Sequence, residues 1–540
     1  MDELANWARI QPDRPACIFP QSGESISYSE LDARAGRAAQ WLAERGLDGG
    51  DMIALLLENR PEAVELSWAA RRAGLYYALL NTHLRSGEIG YLLRDSGAKL
   101  LLTSRALFAL VPDDMRGRLP IAVVDGAPAG CLDYRREVQA LRNPLPLADR
   151  PVGSPFLYSS GTSGLPKGIL RPLPAASARG KPQPWHAGMD RAMQAVETDV
   201  YLSPAPFFHA APHAYSMHAL DRGLTVVMLE RFEPEPALAA IERYRVTLGQ
   251  FVPTMFVRML ALPDAIRRRY DLASLRRAIH AAAPCPVHVK ERLIAWWGPI
   301  LFEYYAGTER IGWTVIESAE WLAHKGSVGR PLLGLIHICD EDGRELPAGE
   351  VGMIRFSDFG PGFEYHNAPE QTAAAFDARG WATYGDLGWL DPDGYLYLSD
   401  RRTDLILCGG VNVYPAEIES VLLQHPAVAD AAVIGVPDAE YGERVQAVVQ
   451  LRDDAAPPGE AELLAFCRKH LAGLKCPRGI DIVQKLPRTE TGKLLRRVLK
   501  QDYRARTAPA TSFPLPEGLG EGSKEAGASA DRRDHILHAR

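Results

Sequence analysis

The chain carries the stretch YSSGTSGLPKG at residues 158–168, directly after an apolar segment. Its glycines allow backbone amides to converge on an anion, and its hydroxyl groups and lysine add further donors. This composition is typical of a loop that binds phosphate, with a flexible polar turn as the alternative. It is not a Walker A loop, because Pro166 stands where that motif has glycine and no serine or threonine follows Lys167.

The sequence on the N-terminal side of this loop alternates short apolar runs with amphipathic segments. Residues 52–57 predict a buried strand, and Pro61 predicts the first turn of a helix that extends to about Arg72. Further strands are predicted over 75–80 and 100–103, and a further helix over 86–95. This alternation predicts an α/β fold in which helices cover the faces of parallel sheets.

Composition limits the class of protein. The 540 residues, 46% of them apolar, are too many for one core, so two or more domains are expected. The net charge of −6 argues against nonspecific binding of nucleic acid. The apolar runs fall short of the roughly 18 residues that a membrane span needs. The N-terminus does not resemble a signal peptide, and the 7 cysteines include no CxxC pair, so we expect a cytoplasmic location without a disulfide framework or zinc knuckle.

The character of the sequence changes near residue 400, after the turn signal Asp391-Pro392-Asp393-Gly394. We therefore predict an N-terminal domain over 1–401 and a C-terminal domain over 402–505. In the second domain, helices are predicted near 415–423 and 460–470, and strands near 431–436 and 445–451. Alanine, proline, glycine and charge dominate beyond Arg506, which predicts a disordered tail over 506–540. Prolines and glycines within 172–190 predict a mobile surface segment between core elements.

Three further motifs carry chemistry: EYYAGTE at 303–309, YGDLG at 384–388 with Asp400-Arg401 after it, and PRTETGK at 487–493. An aromatic ring can stack on a purine, and the carboxylate of Glu309 can hold Mg²⁺ beside phosphates. Asp386 is suited to accept hydrogen bonds from ribose hydroxyls. Taken alone, the first motif could be a capped strand end and the last a solvated basic turn.

Together, in this order and spacing, these motifs resemble the adenylate-forming superfamily, which comprises acyl- and aryl-CoA synthetases, firefly luciferase and the adenylation domains of peptide synthetases. The resemblance covers about residues 5–500. It implies a large N-terminal domain of stacked sheets and helices and a small mobile α+β C-terminal domain. It also implies a two-step reaction that uses ATP, Mg²⁺ and coenzyme A. A carboxylate and MgATP give acyl-AMP and pyrophosphate, and the CoA thiol then displaces AMP.

The resemblance implies a role for each matching residue. Lys493 matches the adenylation lysine, Thr308 a phosphate contact, and Glu309 the Mg²⁺ carboxylate. The residues that match the nucleotide site are Ser159, Ser160, Gly161, Thr162, Ser163, Gly164, Lys167, Ala282, Ala283, Pro284, Tyr305, Asp386 and Arg401. Among them Tyr305 matches the aromatic that stacks on adenine, and Asp386 and Arg401 match the ribose clamp.

The sequence departs from the family pattern at several of these positions. Alanines replace the usual glycine in HAAAP, residues 280–284, and Ala306 replaces the glycine after the aromatic. These changes leave less space near the nucleotide and the acyl carbonyl. Thr403 occupies the hinge between the domains, where the family usually has aspartate or lysine.

The acid and the thiol have their own predicted residues. His209 matches a histidine that lines the acyl pocket, together with Phe208 and Phe251, and a satisfied core histidine is the alternative. Gly409 and Gly410 allow the backbone to approach pantetheine closely in a CoA channel.

The leading hypothesis is a stand-alone acyl-CoA synthetase whose partners are a small carboxylic acid, ATP and CoA, with a homo-oligomer left open. Residues 207–218, 250–259 and 281–305 are rich in Phe, Met, Val and Ala, which favours an acid with an apolar tail. A medium- or long-chain fatty acid is the first expectation, and a steroid side-chain acid or an aryl acid stays open.

Three other functions compete with this hypothesis. Loading of a separate carrier protein and a luciferase-like monooxygenase would both use the same adenylate. A noncatalytic nucleotide-binding regulator belongs to a different class of function and predicts loss of Lys493 or Glu309, yet both residues are present.

Overall fold

A computed structural model describes residues 2–141, 149–159, 166–183, 185–282, 285, 287–340, 342–360, 362–401, 406–413, 415–452, 457–487, 499–500 and 502–503. Several predicted features lie outside these residues: Ser160, Gly161, Thr162, Ser163, Gly164, Ala283, Pro284, Thr403, Lys493 and the tail over 506–540. The proposed domain boundary at 400–403 also falls largely outside them.

The strands in chain order are β1 Pro15–Phe19, β2 Glu24–Ser27, β3 Met52–Leu56, β4 Tyr76–Leu79, β5 Leu100–Thr103, β6 Ile121–Val123, β7 Leu132–Asp133, β8 Ser154–Ser159, β9 Lys167–Leu170, β10 Val200–Ser203, β11 Thr225–Met228, β12 Leu248–Phe251, β13 Arg277–His280, β14 Leu301–Ala306, β15 Trp313–Glu317, β16 Arg330–Leu333, β17 Leu335–Cys339, β18 Gly352–Ser357, β19 Glu364–Tyr365, β20 Asp386–Leu390, β21 Leu396–Arg401, β22 Ile406–Cys408, β23 Val411–Val413, β24 Val428–Asp438, β25 Gly442–Leu451 and β26 Gly479–Val483.

The helices in chain order are α1 Glu3–Ile10, α2 Tyr28–Glu44, α3 Pro61–Ala73, α4 Ser86–Ser96, α5 Asp113–Arg116, α6 Tyr134–Ala140, α7 His186–Met193, α8 Ala210–Asp221, α9 Pro234–Arg243, α10 Pro253–Leu260, α11 Asp264–Arg267, α12 Val287–Trp297, α13 Ser318–Ala323, α14 Pro369–Ala374, α15 Pro415–Leu422 and α16 Glu460–His470.

Two large, mostly parallel sheets form the N-terminal part. One has the strand order β16-β15-β14-β13-β12-β10-β11-β1-β2, and the other has the order β19-β9-β8-β4-β3-β5-β6-β7. Strand β3 is buried along its whole length, as expected for a strand that helices cover on both faces. The predicted α/β class is confirmed, and loops that follow parallel strands of one sheet meet at the same edge.

Local sequence signals explain why these elements begin and end where they do. Helix α3 has proline at its first position and ends at Gly74, whose φ of 74° is left-handed. Helix α2 begins with a capping box, in which the Ser27 side chain and the Glu30 side chain each accept a hydrogen bond from the other's backbone N–H. The strand predicted over 52–57 and the helix predicted from Pro61 are both confirmed.

Two smaller sheets follow. The first has the order β17-β18-β20-β21 and is antiparallel. The second belongs to the C-terminal part and has the order β23-β22-β25-β24, with β26 paired to β25. Helices α15 and α16 pack on this sheet around Ile418, Leu422 and Leu463. The small α+β unit predicted at the C-terminal end is therefore present.

The described residues of the stretch 172–190 lie mostly at the surface, as predicted, and the stretch is anchored to the core. Arg179 donates hydrogen bonds to the carbonyl oxygens of Arg150 and Pro151, at 3.1 and 3.3 Å. Gly188 in α7 is buried against the indole of Trp313, where a β-carbon would be too close. These anchors hold a surface segment rich in proline and glycine on the N-terminal part, and its mobility stays a prediction.

The structure adds two findings on the class of protein. Within the described ranges, the helices are all too short or too polar to cross a membrane. Each of the seven cysteines is described, and each is a free thiol.

Candidate active site

The β8–β9 hairpin holds both ends of the phosphate-type loop. Ser159 pairs with Lys167 and Tyr158 pairs with Gly168, so residues 160–166 connect two adjacent strand ends. Gly168 lies against the ring of Phe156, and a β-carbon at this position would overlap the ring. The hairpin therefore needs glycine immediately after Lys167 in order to bring the two strands together.

Lys167, Tyr365 and Glu309 come together at one side of this hairpin. The ammonium group of Lys167 lies 4.9 Å from the centre of the Tyr365 ring. The hydroxyl of Tyr365 donates a hydrogen bond to Oε1 of Glu309 at 2.8 Å. Burial lowers the pKa of Lys167, an effect that the charge of Glu309 opposes. A cation and a carboxylate are thus held beside the ends of the loop.

The turn after β14 positions Thr308 and Glu309. Arg171 donates a hydrogen bond to the carbonyl oxygen of Thr308. Gly307 lies under the ring of Tyr384, where a larger residue would overlap the ring. The Tyr384 hydroxyl accepts a hydrogen bond from the N–H of Ile311 at 3.0 Å and donates one to the carbonyl of Gly312 at 3.0 Å. These contacts fix the backbone on both sides of the predicted Mg²⁺ carboxylate.

The predicted adenine and ribose residues are brought together. The hydroxyl of Tyr305 donates to Oδ2 of Asp386 at 2.6 Å. Asp386 begins β20 and is the cross-strand partner of Arg401 at the end of β21. The structure therefore joins Tyr305, Asp386 and the backbone of Arg401, which are separated by almost a hundred positions in the sequence.

The loop after β13 shows what the glycine-to-alanine change means. Ala282 has a φ of 76°, in the left-handed region that glycine adopts without strain. An alanine there costs roughly 1–2 kcal/mol. The backbone at Ala282 therefore keeps a glycine-like conformation although the residue is alanine.

His209 lies at the start of α8, and Asn59 holds the loop before it. The amide of Asn59 donates to the carbonyl oxygens of Ala205 and Leu229, at 3.0 and 2.7 Å, and its oxygen accepts from the N–H of Phe207 at 2.6 Å. Burial lowers the pKa of His209 to about 4, so the imidazole is neutral at pH 7.

The two phenylalanines predicted for the acyl pocket have different surroundings. Phe208 packs against the ring of His209, with ring centres 4.5 Å apart. Phe251 is fully buried between Phe256 and Trp297 in the hydrophobic core of the large sheet.

The predicted CoA channel residues form a tight hairpin turn between β22 and β23. Gly409 and Gly410 have φ values of 60° and 77°, which match a two-residue turn that favours glycine. Gly410 lies next to the side chain of Val252, at the start of α10 in the N-terminal part. This turn of the C-terminal part therefore contacts the N-terminal part.

A second contact between the two parts is ionic. The ammonium of Lys475 lies 2.6 Å from Oε1 of Glu88 in α4 and 2.8 Å from Oε1 of Glu417 in α15. Burial raises the pKa of Glu417 to about 7, although Lys475 opposes this. Nearby, Arg85 donates to the carbonyl oxygen of Leu471. We call Glu88, Glu417 and Lys475 the interdomain ion cluster.

Sequence reasoning missed Asn59, Arg171, Tyr365 and Tyr384 as positioning residues. Asn59 was visible only as part of an Asn-Arg-Pro helix start, and Tyr384 only as the residue before the glycine of YGDLG. Tyr365 and Arg171 carry no local signal, because their partners Glu309 and Thr308 are distant in the sequence.

The family comparison agrees with this geometry. Residues 4–362 match the AMP-binding enzyme family, and residues 417–493 match the AMP-binding enzyme C-terminal domain. The chain belongs to the AMP-binding enzyme family. This confirms the resemblance to adenylate-forming enzymes, and the chain is an AMP-forming acid–thiol ligase that uses ATP and CoA.

Curated relatives of this AMP-binding enzyme act on different acids. It is 33% identical to a long-chain-fatty-acid–CoA ligase, FadD13, from Mycobacterium tuberculosis, over 93% of this chain and 98% of the relative. It is 34% identical to a feruloyl-CoA synthase from an Amycolatopsis species, over 93% of this chain and 99% of the relative. The acid–CoA ligase class is therefore established, and the acid itself is not.

Solved structures of one relative differ in their likeness to this AMP-binding enzyme. The o-succinylbenzoate CoA synthetase of Bacillus subtilis, a double mutant bound to a product analogue, OSB-NCoA, matches with a TM-score of 0.78 at 30% identity, over 93% of this chain and 98% of that chain. The same synthetase in complex with its acyl-adenylate intermediate matches with a TM-score of 0.63 at the same identity, over 92% of this chain and 98% of that chain.

Proposed function

We propose that the enzyme joins a compact carboxylic acid to AMP and then transfers the acyl group to CoA at the site described above. The observation that carries this proposal is the convergence of Lys167, Glu309 and Tyr365 beside the loop 160–166, with Tyr305 and Asp386 joined nearby. A cation, a carboxylate and an aromatic ring around a phosphate-type loop are what an ATP-dependent displacement needs.

In the first step, a carboxylate oxygen of the acid attacks the α-phosphorus of ATP and pyrophosphate leaves. Lys167 and the hydroxyls of the loop would neutralise charge on the phosphates, and Thr308 would contact them. The Tyr305 ring would stack on adenine. Asp386 would accept hydrogen bonds from the ribose hydroxyls, and Arg401 would help to orient the ribose. Such catalysis depends mainly on positioning and charge neutralisation.

The carboxylate of Glu309 fits a role as Mg²⁺ ligand. Magnesium in nucleotide enzymes is usually bound by one or two carboxylates together with substrate phosphates. Glu309 offers one such carboxylate on a backbone turn that Tyr384 and Arg171 fix, with the Tyr365 hydroxyl orienting it. Bound Mg²⁺ would supply positive charge for the phosphate oxygens.

In the second step, the CoA thiol attacks the acyl carbonyl and AMP leaves. The turn at Gly409 and Gly410 would line the channel that admits pantetheine, because glycine leaves room for a close approach. The higher TM-score for the complex with a CoA product analogue supports the proposal that the C-terminal part is here in the orientation for thioester formation. Rotation at Thr403 would bring Lys493 to the site for the first step.

The acid is proposed from a cavity whose lining includes Arg310, the residue after Glu309, but not the predicted pocket residues His209, Phe208 and Phe251. The cavity has a volume of about 100 Å³, and its walls include Trp68, Tyr77, Trp185, His213 and Arg310. His213 lies one helical turn after His209, and its N–H donates to the His209 carbonyl at 3.1 Å. This volume is below the roughly 150 Å³ of a cavity that holds benzene, so the space favours a compact acid over a long chain. Support for an aryl acid comes from the likeness to a feruloyl-CoA synthase.

A medium- or long-chain fatty acid is the second candidate. The likeness to a long-chain-fatty-acid–CoA ligase favours it, as do the apolar stretches of the sequence. A chain of that length would need more space than the cavity offers. Carrier-protein loading and a steroid side-chain acid are further alternatives that the same assay separates.

The test is pyrophosphate release and thioester formation across a panel of acids, with CoA and a pantetheinylated carrier protein as acceptors. We expect release with compact aryl or short acids, and product on CoA. Preference for long-chain fatty acids would favour the second candidate. Binding of ATP without pyrophosphate release for any acid would favour a nucleotide-binding regulator and contradict the proposal.

A further inference from the structure

Arg310 occupies an unusual place directly after Glu309. Its φ of 57° is left-handed, a conformation that an arginine rarely adopts. Its guanidinium carbon lies 4.1 Å from the centre of the Trp185 ring, on the wall of the cavity. Backbone strain in a non-glycine residue beside an active site commonly has a functional reason. The backbone conformation therefore indicates a functional role for the Arg310 side chain.

The guanidinium of Arg310 has no matching anion. Within the described part of the chain, it forms neither an ion pair nor a hydrogen bond, and its contact is the face of Trp185. Burial, and then the charge of Arg171, lower the pKa of Arg310 to about 9. A guanidinium has five donors in a planar fork, and no other described residue accepts from this one, so the donors of Arg310 are available to a ligand.

The other principal charges of the cavity are already matched. Arg71 lies 2.9 Å from Asp221 and 3.7 Å from Glu3. Asp2, which also lines the cavity, is paired with Arg72 at 2.7 Å. Arg179 donates to backbone carbonyls. Among the described residues that line the cavity, Arg310 and the exposed Lys181 are therefore the cations without a hydrogen-bond acceptor.

A metal ion is a poorer occupant than an anion. His186, His218 and Asp221 offer ligand atoms within 4.8 Å of one another. However, Asp221 is engaged by Arg71, and His218 lies 2.9 Å from Asp190. A divalent cation there would lie beside the Arg71 guanidinium, which makes the site unfavourable for it.

We propose that Arg310 selects an acid that carries a second carboxylate, so that the preferred substrate is a compact dicarboxylic acid. This rests on the proposed function, since the first carboxylate must react with ATP at the adjacent site. The planar guanidinium of arginine can donate two parallel hydrogen bonds to one carboxylate. Stacking on Trp185 would hold the guanidinium in a fixed orientation. The second carboxylate would supply the anionic partner that Arg310 lacks among the described residues.

The experiment measures kcat/KM for pyrophosphate release with matched acids: terephthalate against para-toluate, and adipate against hexanoate. The wild type should prefer each diacid by about 100-fold, because a charge-assisted pair replaces an unpartnered cation. Arg310→Met should abolish this preference and improve the monoacids, and Arg310→Lys should keep part of it. Thermal unfolding of each variant shows whether it is folded.

The matched control is Arg243→Met. Arg243 is an exposed arginine that also stacks on an aromatic ring, 5.2 Å from the centre of Tyr244, but it does not line the cavity. The Arg243→Met variant should keep the wild-type preference for diacids over monoacids. Equal use of diacids and monoacids by the wild type, or an unchanged ratio in folded Arg310→Met, would overturn the inference alone. Absence of pyrophosphate release with every acid would overturn the proposed function itself.

Discussion

At the scale of single residues, two proposed roles of Tyr305 can be tested separately: stacking of its ring on adenine and hydrogen bonding of its hydroxyl to Asp386. Tyr305→Phe keeps the ring for stacking on adenine but removes the donor that orients Asp386. We expect kcat/KM for ATP to fall by about tenfold, the value of a hydrogen bond to a charged group. The measurement is initial rate against ATP concentration. Tyr397→Phe is the control, because Tyr397 stacks on Trp389 away from the site, and an unchanged rate for Tyr305→Phe would contradict the assignment.

Glu65 is a second residue with a measurable signature. Burial raises its pKa from 4.5 to about 7, and its carboxyl accepts a hydrogen bond from the Tyr134 hydroxyl. The unfolded chain therefore loses this proton first as pH rises, and the unfolding free energy falls between pH 4.5 and about pH 7. Glu65→Gln keeps a hydrogen-bond acceptor but cannot ionise. The variant should therefore lack this pH-dependent decrease in the unfolding free energy, which amounts to up to about 3 kcal/mol.

The measurement is denaturant unfolding of both proteins at several pH values. The two curves should converge near pH 4.5 and separate above it, with the glutamine variant more stable at pH 8. A constant difference across the range would mean that Glu65 does not titrate as proposed.

At the scale of secondary-structure elements, the β8–β9 hairpin depends on the contact of Gly168 with Phe156. Gly168→Ala should destabilise the protein by about 1–3 kcal/mol through overpacking, and should also reduce pyrophosphate release because Lys167 moves with the strand. Adding Phe156→Leu makes space for the methyl group, so the double variant should lose less stability than the sum of the two single changes.

The control for this hairpin is Gly87→Ala in α4, where a β-carbon meets no neighbour. It should be neutral or stabilise by about 0.5–1 kcal/mol. Strict additivity of the Gly168 and Phe156 substitutions would contradict the steric explanation.

The same elements show what a sequence can and cannot predict. Strand β3 and helix α3 follow from local patterns, because hydrophobic period and proline act within a few residues. The Tyr365–Glu309 hydrogen bond and the stacking of Arg310 on Trp185 depend on how distant loops meet, so the sequence contains no local signal for them. Phe256 and Met259 of the stretch 250–259 belong to the hydrophobic core, so the apolar composition of this stretch also has a packing reason.

At the scale of the whole molecule, the interdomain ion cluster should favour one orientation of the C-terminal part. Glu88→Gln removes one of the two carboxylates that face Lys475 and leaves Glu417 in place. If this cluster stabilises the orientation proposed for thioester formation, thioester formation from supplied acyl-AMP should slow by roughly tenfold and pyrophosphate release should change little.

Glu462→Gln is the control for this change, since the exposed Glu462 contacts His425 within the C-terminal part. Equal slowing of both half-reactions by Glu88→Gln would contradict a role in balancing the orientations.

Lys493 provides the opposite test. If it reaches the site only for adenylation, Lys493→Ala should slow acyl-AMP formation by about 10²–10³-fold, the usual value of a positioned donor. Transfer from supplied acyl-AMP to CoA should be nearly unchanged. The control is Lys485→Ala, an exposed lysine shortly before it in the sequence. Unchanged pyrophosphate release would remove Lys493 from the mechanism, and equal loss in both steps would contradict two orientations.

The pairing of Ser159 with Lys167 has a consequence for the entropy of nucleotide binding. Closing a loop of roughly seven residues costs about 1.7 kcal/mol in chain entropy. Because Ser159 pairs with Lys167, this loss of entropy occurs when the hairpin forms and not when ATP binds. The cost grows only with the logarithm of loop length, so one inserted residue would hardly change it. We therefore expect loop length to affect ATP binding mainly through the contacts that its amides and hydroxyls would make with the phosphates. An insertion should reduce the affinity for ATP while leaving the stability of the fold almost unchanged.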